Sequence, residues 1–327
     1  MKKLRRHMAF GIPLGLFLAG AGRRVLAQSA APAYPSRPVH FVVPFAAGGG
    51  ADVIARFIGG KLAAALGQPV VIENRAGASG NIGAAAAARA ASDGYTILFA
   101  YSGTHAINPT LYQEPGFRNS DFAPVIMIAT VPQVLTVNSN FGARSVADLI
   151  ALAKARPGAM NFASSAAFNQ LAAVLFNQMA GVQAVHVPYT GAAASTTALI
   201  AGDVAYQFTD PPAVLSLIKS GRLRALAVTS VKRSALFPDL PTLVEAGLDG
   251  YDATSWNGIL VPANTPATVI ARLNAELNKI LMAADVRAKL AELGYDQVGG
   301  SPEQFGAYLI AQEAKWGILV KAANLKP

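Results

Sequence analysis

The chain has 327 residues, of which 53% are hydrophobic and 14% charged, with no cysteine and a formal net charge of +9. This length suits two domains or one large domain. The lack of cysteine excludes disulfides, thiol nucleophiles and thiolate-bound metals. The four histidines are scattered without the i, i+4 pairing of zinc helices, so we predict no metal and no cofactor.

The N-terminus differs from the rest of the chain. "MKKLRRHMAF" carries four cations, the apolar run "GIPLGLFLAGAG" is too short to span a bilayer, and "VLA" places Val25 and Ala27 at a cleavage site. This pattern predicts a signal peptide over residues 1–27 and a periplasmic protein. The pair Arg5 and Arg6 leaves both general and twin-arginine export open. A buried N-terminal helix is the alternative, which the leading cations disfavour.

Cleavage after Ala27 would change the charge of the protein. Residues 1–27 hold six of the 27 basic residues and no acid, so the remainder has 21 basic and 18 acidic residues, near +3. The high isoelectric point then gives no support for nucleic-acid binding. No later segment has about 18 uninterrupted apolar residues, so we expect a soluble protein, and we expect a monomer.

After a Pro/Ala linker, strand-like and helix-like segments alternate. The strand-like segments are apolar runs, first "VHFVVPF", then "PVVIEN", then "DGYTILFAYS". Between them lie two helix-like segments, "ADVIARFIGGKLAAAL" with a period near 3.6 and "GNIGAAAAARAA". Alternation of this kind predicts a sheet with parallel strands and flanking helices.

Two long extended segments divide the chain. Residues 122–138 form two strand-like halves separated by Pro132, and residues 253–263 are again extended. Between them lies a second α/β set that begins with a helix capped by Ser145, and after them comes a helical tail whose last helix begins at Ser301. We therefore predict a two-lobed α/β fold with two parallel or mixed sheets flanked by helices and joined by two crossing segments. Lobe 1 is residues 28–131 plus 255–327, lobe 2 is residues 132–254, and the ligand cleft lies between them.

A glycine triplet follows the first strand. Gly48, Gly49 and Gly50 allow positive φ and close approach of a ligand, and the next helix starts with unpaired amides and a partial positive charge. No Lys-Ser/Thr follows the glycines and Val53 stands where a dinucleotide fingerprint needs its third glycine, so a small carboxylate is the remaining anion. The alternative is a tight turn with Asp52 as a helix cap. A carboxylate side chain repels an anion, so Asp52 is better used on the backbone.

Polar residues also follow other strands. "YSGTHAINP" places hydroxyls after the third strand, and "SSAAFNQL", "PYTGAAAS" and "FTDPP" place polar groups at three helix starts of the second set. A second glycine series at residues 77–83 is of secondary interest, and His105 is expected to be a packed or solvent-exposed histidine rather than a catalyst. The nucleophile elbow and the H-E-x-x-H zinc motif are absent from the sequence. A Ser/His/Asp set assembled by folding stays open.

Several long segments resemble one family. They are "YPSRPVHFVVPFAAGGGADVIAR", "LGQPVVIENRAGASGNIGA", "DGYTILFAYSGTHAINPTLY", "HVPYTGAAAS", "GRLRALAVTSVKRSALFPDLPTLVEAG" and "TSWNGILVPANTP". The sequence resembles the Bug family of periplasmic solute-binding proteins, which serve tripartite tricarboxylate transporters. The resemblance implies a two-lobed periplasmic-binding-protein fold (type II-like) with flytrap-like closure. It also implies a carboxylate held by backbone amides and bridging waters, and delivery to a two-component membrane permease.

The resemblance and the glycine loop together give the candidate ligand-binding residues. They are Phe45, Ala46, Ala47, Gly48, Gly49, Gly50, Ala51, Asp52, Ser102, Gly103, Thr104, Ser164, Ser165, Phe168, Tyr189, Thr190, Gly191 and Asp210. The chain departs from the family pattern in three places: it lacks the usual prolines near Ala47 and Gly50, it has a shorter segment after Ser165, and Thr209 stands where an acid is common. The shorter segment suggests that Phe168 enters the cleft, which would suit an aromatic or longer apolar acid.

Three functions remain open from the sequence. The leading one is a periplasmic protein, without enzymatic activity, that binds a di-/tricarboxylate or an aromatic acid for a tripartite transporter. The second is an exported hydrolase or lyase that uses a cleft serine. The third is a sensor that presents a bound acid to a membrane kinase.

Overall fold

The computed structural model describes residues 34–189 and 191–325, so the predicted signal peptide and Thr190 lie outside the described residues. The described chain forms two mixed sheets flanked by helices. This architecture confirms the predicted fold class. None of the described helices is both long enough and apolar enough to cross a bilayer.

The first sheet takes strands from both ends of the described chain. Its members are β1 (Val39–Val43), β2 (Val70–Asn74), β3 (Thr96–Tyr101), β4 (Phe122–Pro132), β10 (Thr254–Pro262) and β11 (Asp296–Gly299). Their spatial order is β11-β4-β10-β3-β1-β2. Strands β1, β2 and β3 are parallel, whereas β10 is antiparallel to both β3 and β4. The sheet is therefore mixed, with its parallel half at one side.

The second sheet comes from the middle of the chain. Its members are β5 (Val134–Asn138), β6 (Met160–Ser164), β7 (Ala184–Pro188), β8 (Tyr206–Thr209) and β9 (Leu223–Val228), in the order β7-β6-β8-β5-β9. Strands β6, β7 and β8 are parallel, and β5 is antiparallel to its two neighbours. Each sheet thus has three parallel strands whose carboxyl ends carry the loops of interest.

Two chain crossings join the sheets. The first lies at Gln133, between β4 and β5, and the second precedes β10. Thr229 ties them together, since its hydroxyl accepts a hydrogen bond from the Gln133 amide at 2.7 Å and its carbonyl accepts one from the Ala253 amide at 3.2 Å. The extended segment broken at Pro132 is thus confirmed as a crossing, and it is fixed to the return segment by one buried threonine.

Ten helices in the described chain cover the sheets. They are α1 (Gly50–Leu66), α2 (Asn81–Ala88), α3 (Asn108–Leu111), α4 (Val146–Ala155), α5 (Ala167–Ala180), α6 (Ala192–Ala201), α7 (Pro211–Lys219), α8 (Ala267–Met282), α9 (Ala284–Glu292) and α10 (Pro302–Ala322). The two predicted caps are confirmed, because the Ser145 hydroxyl accepts from the Asp148 amide and the Ser301 hydroxyl accepts from the Gln304 amide. These caps fix the starts of α4 and α10.

One apolar cluster is shared by both halves of the chain. It contains Trp316 of α10 and Phe168 of α5, whose ring centroids lie 4.9 Å apart, and it extends to Trp256 of β10. Separate apolar clusters lie beneath α1 and α8 and beneath α6 and α7. The shared cluster therefore packs the two sheets together on one flank and leaves the loops at their carboxyl ends between them.

Candidate functional site

Both sheets place loops at the carboxyl ends of parallel strands, which is where α/β proteins bind ligands. In the first sheet these loops follow β1 and β3, beginning at Pro44 and at Ser102. In the second sheet they follow β6 and β8, at Ser165 and at Asp210. We therefore expect the candidate site to form from these four loop starts.

The glycine triplet leads directly into the first turn of α1. Gly48 has φ +82°, a left-handed conformation that favours glycine, and Gly49 is the N-cap of α1 without any side-chain cap. The amides of Gly50 and Ala51 have no acceptor among the described residues. All three glycines are exposed. The start of α1 is thus a set of open main-chain donors at the positive end of a helix.

Asp52 holds this loop in place. Its carboxylate is only 3% exposed and accepts from the Gly48 amide at 2.8 Å, from Arg56 Nε at 2.9 Å and from Asn74 Nδ2 at 2.9 Å. Asn74 Nδ2 also donates to the Phe45 carbonyl at 3.1 Å. The Arg56 side chain, above all, lowers the pKa of Asp52 to about 2. The expected use of Asp52 on the backbone is confirmed, and the amide that it binds belongs to the loop rather than to the helix.

The hydroxyls that follow β3 are used inside the protein. Ser102 is buried with its Oγ 2.9 Å from Ser255 Oγ, and buried Thr104 donates to the Ser79 carbonyl at 3.2 Å. Gly103 packs under the Tyr101 ring, where an added Cβ would lie 2.9 Å from that ring. These residues position the loop surface rather than present free hydroxyls.

His105 is a packed histidine rather than a solvent-exposed one. It lies in a π-helical turn (Gly103–Ile107) that the sequence did not predict, and its ring is fully buried between Phe117 and Phe122. Its Nδ1 lies 2.9 Å from Asn119 Oδ1. Burial lowers the pKa of His105 to about 4, so the ring is neutral and Nδ1 is the donor.

The second glycine series forms a strained loop that faces the second sheet. Ala78 and Ser79 both have positive φ, at 46° and 53°. The loop is held by Asn108 Nδ2, which donates to the Ser79 carbonyl at 3.1 Å, and by the Tyr112 hydroxyl, which donates to Ser79 Oγ at 3.0 Å. Backbone strain that is held in this way is common at ligand sites.

A pocket of about 380 Å³ lies between this loop and the second sheet. We call it the outer pocket and define it by Ser79, Tyr112, Ser164, Ser165, His186 and Tyr189. Ser164 Oγ lies 2.7 Å from His186 Nε2, and partial burial lowers the pKa of His186. The outer pocket therefore combines hydroxyl groups, a neutral imidazole and aromatic walls.

A second group of residues lies where α1 and α7 begin. It consists of Gly50, Tyr101, Gln133, Asp210 and Tyr295, and we call the region between them the inner crevice. An added Cβ on Gly50 would lie 3.4 Å from the Tyr295 hydroxyl, which brings the turn before β11 over the start of α1. Burial, and then the nearby charge of Asp210, raises the pKa of both Tyr101 and Tyr295. These groups from both sheets therefore share one crevice.

The lobes touch beside Asp210. An added Cβ on Gly294 would lie 3.0 Å from Pro211 Cβ, so the turn of the first sheet packs on the residue after Asp210. Asp210 is an exposed residue. Loss of hydration in the surrounding protein nevertheless raises the pKa of Asp210, and the side-chain amide of Gln133 opposes that rise. Asp210 is thus an accessible carboxylate with reduced hydration.

Comparison with known proteins identifies the family. A model described as "Tripartite tricarboxylate transporter family receptor" matches residues 54–325. The chain belongs to this receptor family. The receptor is 37% identical to "Protein BugT" of Bordetella pertussis, over 96% of this chain and 97% of that protein. This similarity confirms the resemblance to the Bug family.

Solved structures support the same assignment for the receptor. It is similar to "R. palustris Rpa4515 with adipate", with 38% identity, a TM-score of 0.80, and coverage of 90% of this chain and 99% of that one. It is also similar to "MatC (Rpa3494) from Rhodopseudomonas palustris with bound malate", with 30% identity, a TM-score of 0.75, and coverage of 88% and 100%. Both relatives share the two-lobed fold.

The receptor departs from the expectations about Phe168 and the start of α5. Phe168 does not enter the cleft, because it is 1% exposed and packs on Trp316. Helix α5 begins at Ala167 with Ala166 as its cap, rather than at the serines, so its first turn directs Phe168 into the shared apolar cluster. Of the other predicted residues, Ala46, Ala47 and Gly191 are exposed, and Thr190 lies outside the described residues.

Five residues of the candidate site were not predicted. Tyr101, Gln133 and Tyr295 line the inner crevice, and Tyr112 and His186 line the outer pocket. Gln133 carried a signal in the sequence, since it is a lone amide after Pro132 in an otherwise apolar crossing. The other four come from positions whose neighbours are set by tertiary packing, and no local pattern marks them.

Proposed function

We propose that this receptor captures a small carboxylate between its lobes and delivers it to a two-component membrane permease. The observation that carries the proposal is the start of α1, where Gly50 and Ala51 present open amides in the inner crevice. A helix start of this kind favours a carboxylate. Relatives of the family bound to adipate and to malate support the same ligand class.

We place the ligand between lobe 1 (28–131 plus 255–327) and lobe 2 (132–254). The crossings at Gln133 and Ala253 are the hinge candidates, because only these segments lead from one sheet to the other within the described chain. Closure about them would bring the α1 start toward the loops after β6 and β8 and remove water from the bound acid. Hydrogen bonds to the carboxylate are stronger in such a desolvated site.

The proposed ligand contacts lie around the inner crevice and the outer pocket. In lobe 1 they are the segment 45–52 and the loop surface formed by 102–104. In lobe 2 they are Ser164, Ser165, Tyr189, Thr190, Gly191 and Asp210. Phe168 is no longer among them. A chain of about six carbons, like adipate in the relative, would let one carboxylate meet the α1 amides while the rest of the molecule extends through the crevice.

Location and role follow from the same proposal. The N-terminal pattern of residues 1–27 supports export and cleavage after Ala27, and the family supports a receptor in the periplasm. We propose a binding role without turnover, in agreement with the binding relatives. A micromolar dissociation constant, roughly −8 kcal/mol, would suit uptake and release.

An acid panel tests this function. The protein without residues 1–27 is titrated by calorimetry with adipate, malate, benzoate and the neutral diamide of adipate. The expected result is saturable binding of at least one acid, a matching rise in melting temperature, no binding of the diamide and an unchanged ligand after incubation. Binding of the diamide as tightly as adipate, or no acid binding at all, would contradict the proposal.

One observation favours a second candidate, an exported hydrolase. Ser164 Oγ and His186 Nε2 are 2.7 Å apart in the outer pocket, which is the spacing of a nucleophile and its base. However, no carboxylate of the described residues contacts His186, and its other close neighbour is the Phe162 ring. Hydrolysis of p-nitrophenyl acetate that disappears in Ser164→Ala would support this candidate. Equal background rates in both proteins would exclude it.

A further inference from the structure

The starts of α1 and α7 have opposite chemistry. In α7 the first two helical residues are Pro211 and Pro212, which carry no N–H, and the amide of Ala213 already donates to the Asp210 carbonyl at 3.1 Å. The first three helical positions of α7 therefore offer no free amide to an anion. Whatever meets this helix start has to interact with something other than main-chain donors.

What α7 presents instead is the carboxylate of Asp210. Asp210 has the extended backbone of an N-cap, with φ −69° and ψ 142°, yet its side chain makes no capping hydrogen bond. Aspartate at this position normally caps the helix through the N2 or N3 amide. Here Pro212 has no N–H, and the Ala213 amide already donates to the Asp210 carbonyl. The Asp210 carboxylate is exposed and has no partner in hydrogen-bond geometry among the described residues. It is thus a free acceptor at the crevice wall.

Gln133 adds an independent sign that something binds here. Its side chain is fully buried at the crossing between the lobes, and neither Nε2 nor Oε1 has a hydrogen-bond partner in the described chain. The amide lies close enough to Asp210 to favour the ionised carboxyl, without meeting hydrogen-bond geometry. A buried amide without hydrogen-bond partners destabilises the protein, so a polar group that enters beside Asp210 would satisfy both residues.

The open amides of α1 and the carboxylate of Asp210 lie on either side of the turn that contains Gly294 and Tyr295. The Tyr295 hydroxyl stands over Gly50 at the start of α1, while the adjacent Gly294 packs on Pro211 at the start of α7. Tyr101 also lies near Asp210, and its raised pKa, like that of Tyr295, keeps it protonated at neutral pH. The crevice is therefore bipolar, with open N–H groups on one wall and a carboxylate on the other.

We infer that Asp210 accepts a hydrogen bond from the ligand, so that the receptor selects carboxylic acids that also carry a hydrogen-bond donor at their far end. This inference rests on the proposed function and adds the substrate class. Suitable donors are a hydroxyl group or an un-ionised carboxyl group. A fully ionised second carboxylate would face the charge of Asp210 and be disfavoured.

The two kinds of donor differ in their proton balance. An ω-hydroxy acid brings its own hydroxyl hydrogen, so its binding takes up no proton. A diacid that arrives as the dianion has to gain one proton from solvent, and that proton is then shared between its second carboxyl and Asp210. Tyr101 and Tyr295 stay protonated throughout, so the proton taken up is assigned to the carboxyl pair.

Three six-carbon acids of matched length test the inference: hexanoate, 6-hydroxyhexanoate and adipate. Calorimetry at pH 7 is run on the wild type, on Asp210→Asn and on Asp203→Asn, which changes an exposed acid of the α6–β8 turn. The wild type is expected to bind 6-hydroxyhexanoate at least about tenfold more tightly than hexanoate. In Asp210→Asn the affinity ratio of adipate to 6-hydroxyhexanoate should rise by about tenfold or more, and Asp203→Asn should keep the wild-type ratio.

Titrations in buffers of different ionisation enthalpy supply the second readout. Adipate is expected to bind the wild type with proton uptake near one, and 6-hydroxyhexanoate with none. Equal affinity of the wild type for hexanoate and 6-hydroxyhexanoate would overturn the inference while leaving the proposed function intact. Failure of all three acids to bind would overturn the proposed function as well. The wild-type comparison decides the question even if Asp210→Asn does not fold.

Discussion

The glycine loop depends on Asp52, and Asp52→Asn is the sharpest perturbation of it. Oδ2 of Asp52 receives two donors, from Gly48 and Arg56, and Oδ1 receives one from Asn74. An asparagine oxygen can replace only one of these acceptors, and its NH₂ group then faces another donor. Asn74 cannot relieve the conflict by flipping its amide, because its NH₂ also donates to Phe45 and its oxygen accepts from Arg56.

The expected loss follows from these three bonds. The bonds from Gly48 and Asn74 are charge-assisted and contribute about 1–1.5 kcal/mol each, at the low end because the loop is near solvent. The Arg56 side chain is 53% exposed, so its ion pair adds under about 1 kcal/mol. We expect Asp52→Asn to lower the free energy of unfolding by about 2–3 kcal/mol. The affinity for adipate should also fall, because the α1 start is no longer held.

Urea unfolding at pH 7 measures this loss, with Asp203→Asn as the control that should match the wild type. The pKa of Asp52 is lowered to about 2 in the folded protein. Its contribution is therefore fully present above the unfolded pKa of about 4 and disappears as the pH falls toward 2. A difference between Asp52→Asn and the wild type below about 0.5 kcal/mol at pH 7 would refute the role given to these bonds.

Three further predictions concern stability. The pKa of buried His105 is about 4, against about 6.5 in the unfolded chain. Between these values the unfolded chain binds one more proton than the folded protein. Acidification from pH 7 to 4 should therefore lower the free energy of unfolding by about 3 kcal/mol through this residue. His105→Asn should show a shallower pH dependence in urea titrations. Phe168→Ala should lower stability by about 3–5 kcal/mol and shift tryptophan emission without changing the affinity for adipate. Gly48→Ala should cost about 1–2 kcal/mol because of its positive φ, whereas Gly49→Ala, at φ −78°, should cost much less.

Each of these three stability predictions can be contradicted by a specific result. An unchanged pH slope in His105→Asn would mean that the imidazole is not held neutral in the folded protein. A loss of adipate affinity in Phe168→Ala, measured where the variant is fully folded, would show that Phe168 contributes to the cleft. Equal destabilisation by the two alanine substitutions would show that the backbone conformation of Gly48 is not the cause.

The sequence predicted those parts of the fold that local chemistry dictates. Apolar runs marked the strands, and hydroxyl residues before apolar periodic segments marked the caps at Ser145 and Ser301. Pro132 marked the first crossing because proline interrupts an extended run. The glycine triplet was also a local signal, since a positive φ at Gly48 and an uncapped helix start require small residues.

The remaining features depend on contacts between distant parts of the chain. The direction of Phe168 is set by where α5 begins and by Trp316, almost 150 residues later. Tyr295 reaches the crevice only because its turn packs on the residue after Asp210. Strand β11 is short and only partly buried, with neither a long apolar run nor clear alternation. Patterns within a short window contain no information on such placements.

The most direct test of the central claim removes one main-chain donor from the start of α1. Gly50→Pro deletes the amide at the first helical position, where proline is tolerated, and Gly49 already has the extended backbone that precedes proline. Gly50→Ala keeps the amide and is the matched control. Calorimetry with adipate is expected to show at least about tenfold weaker binding for Gly50→Pro and an affinity within about threefold of the wild type for Gly50→Ala. Wild-type affinity in a folded Gly50→Pro protein would show that the carboxylate is held elsewhere.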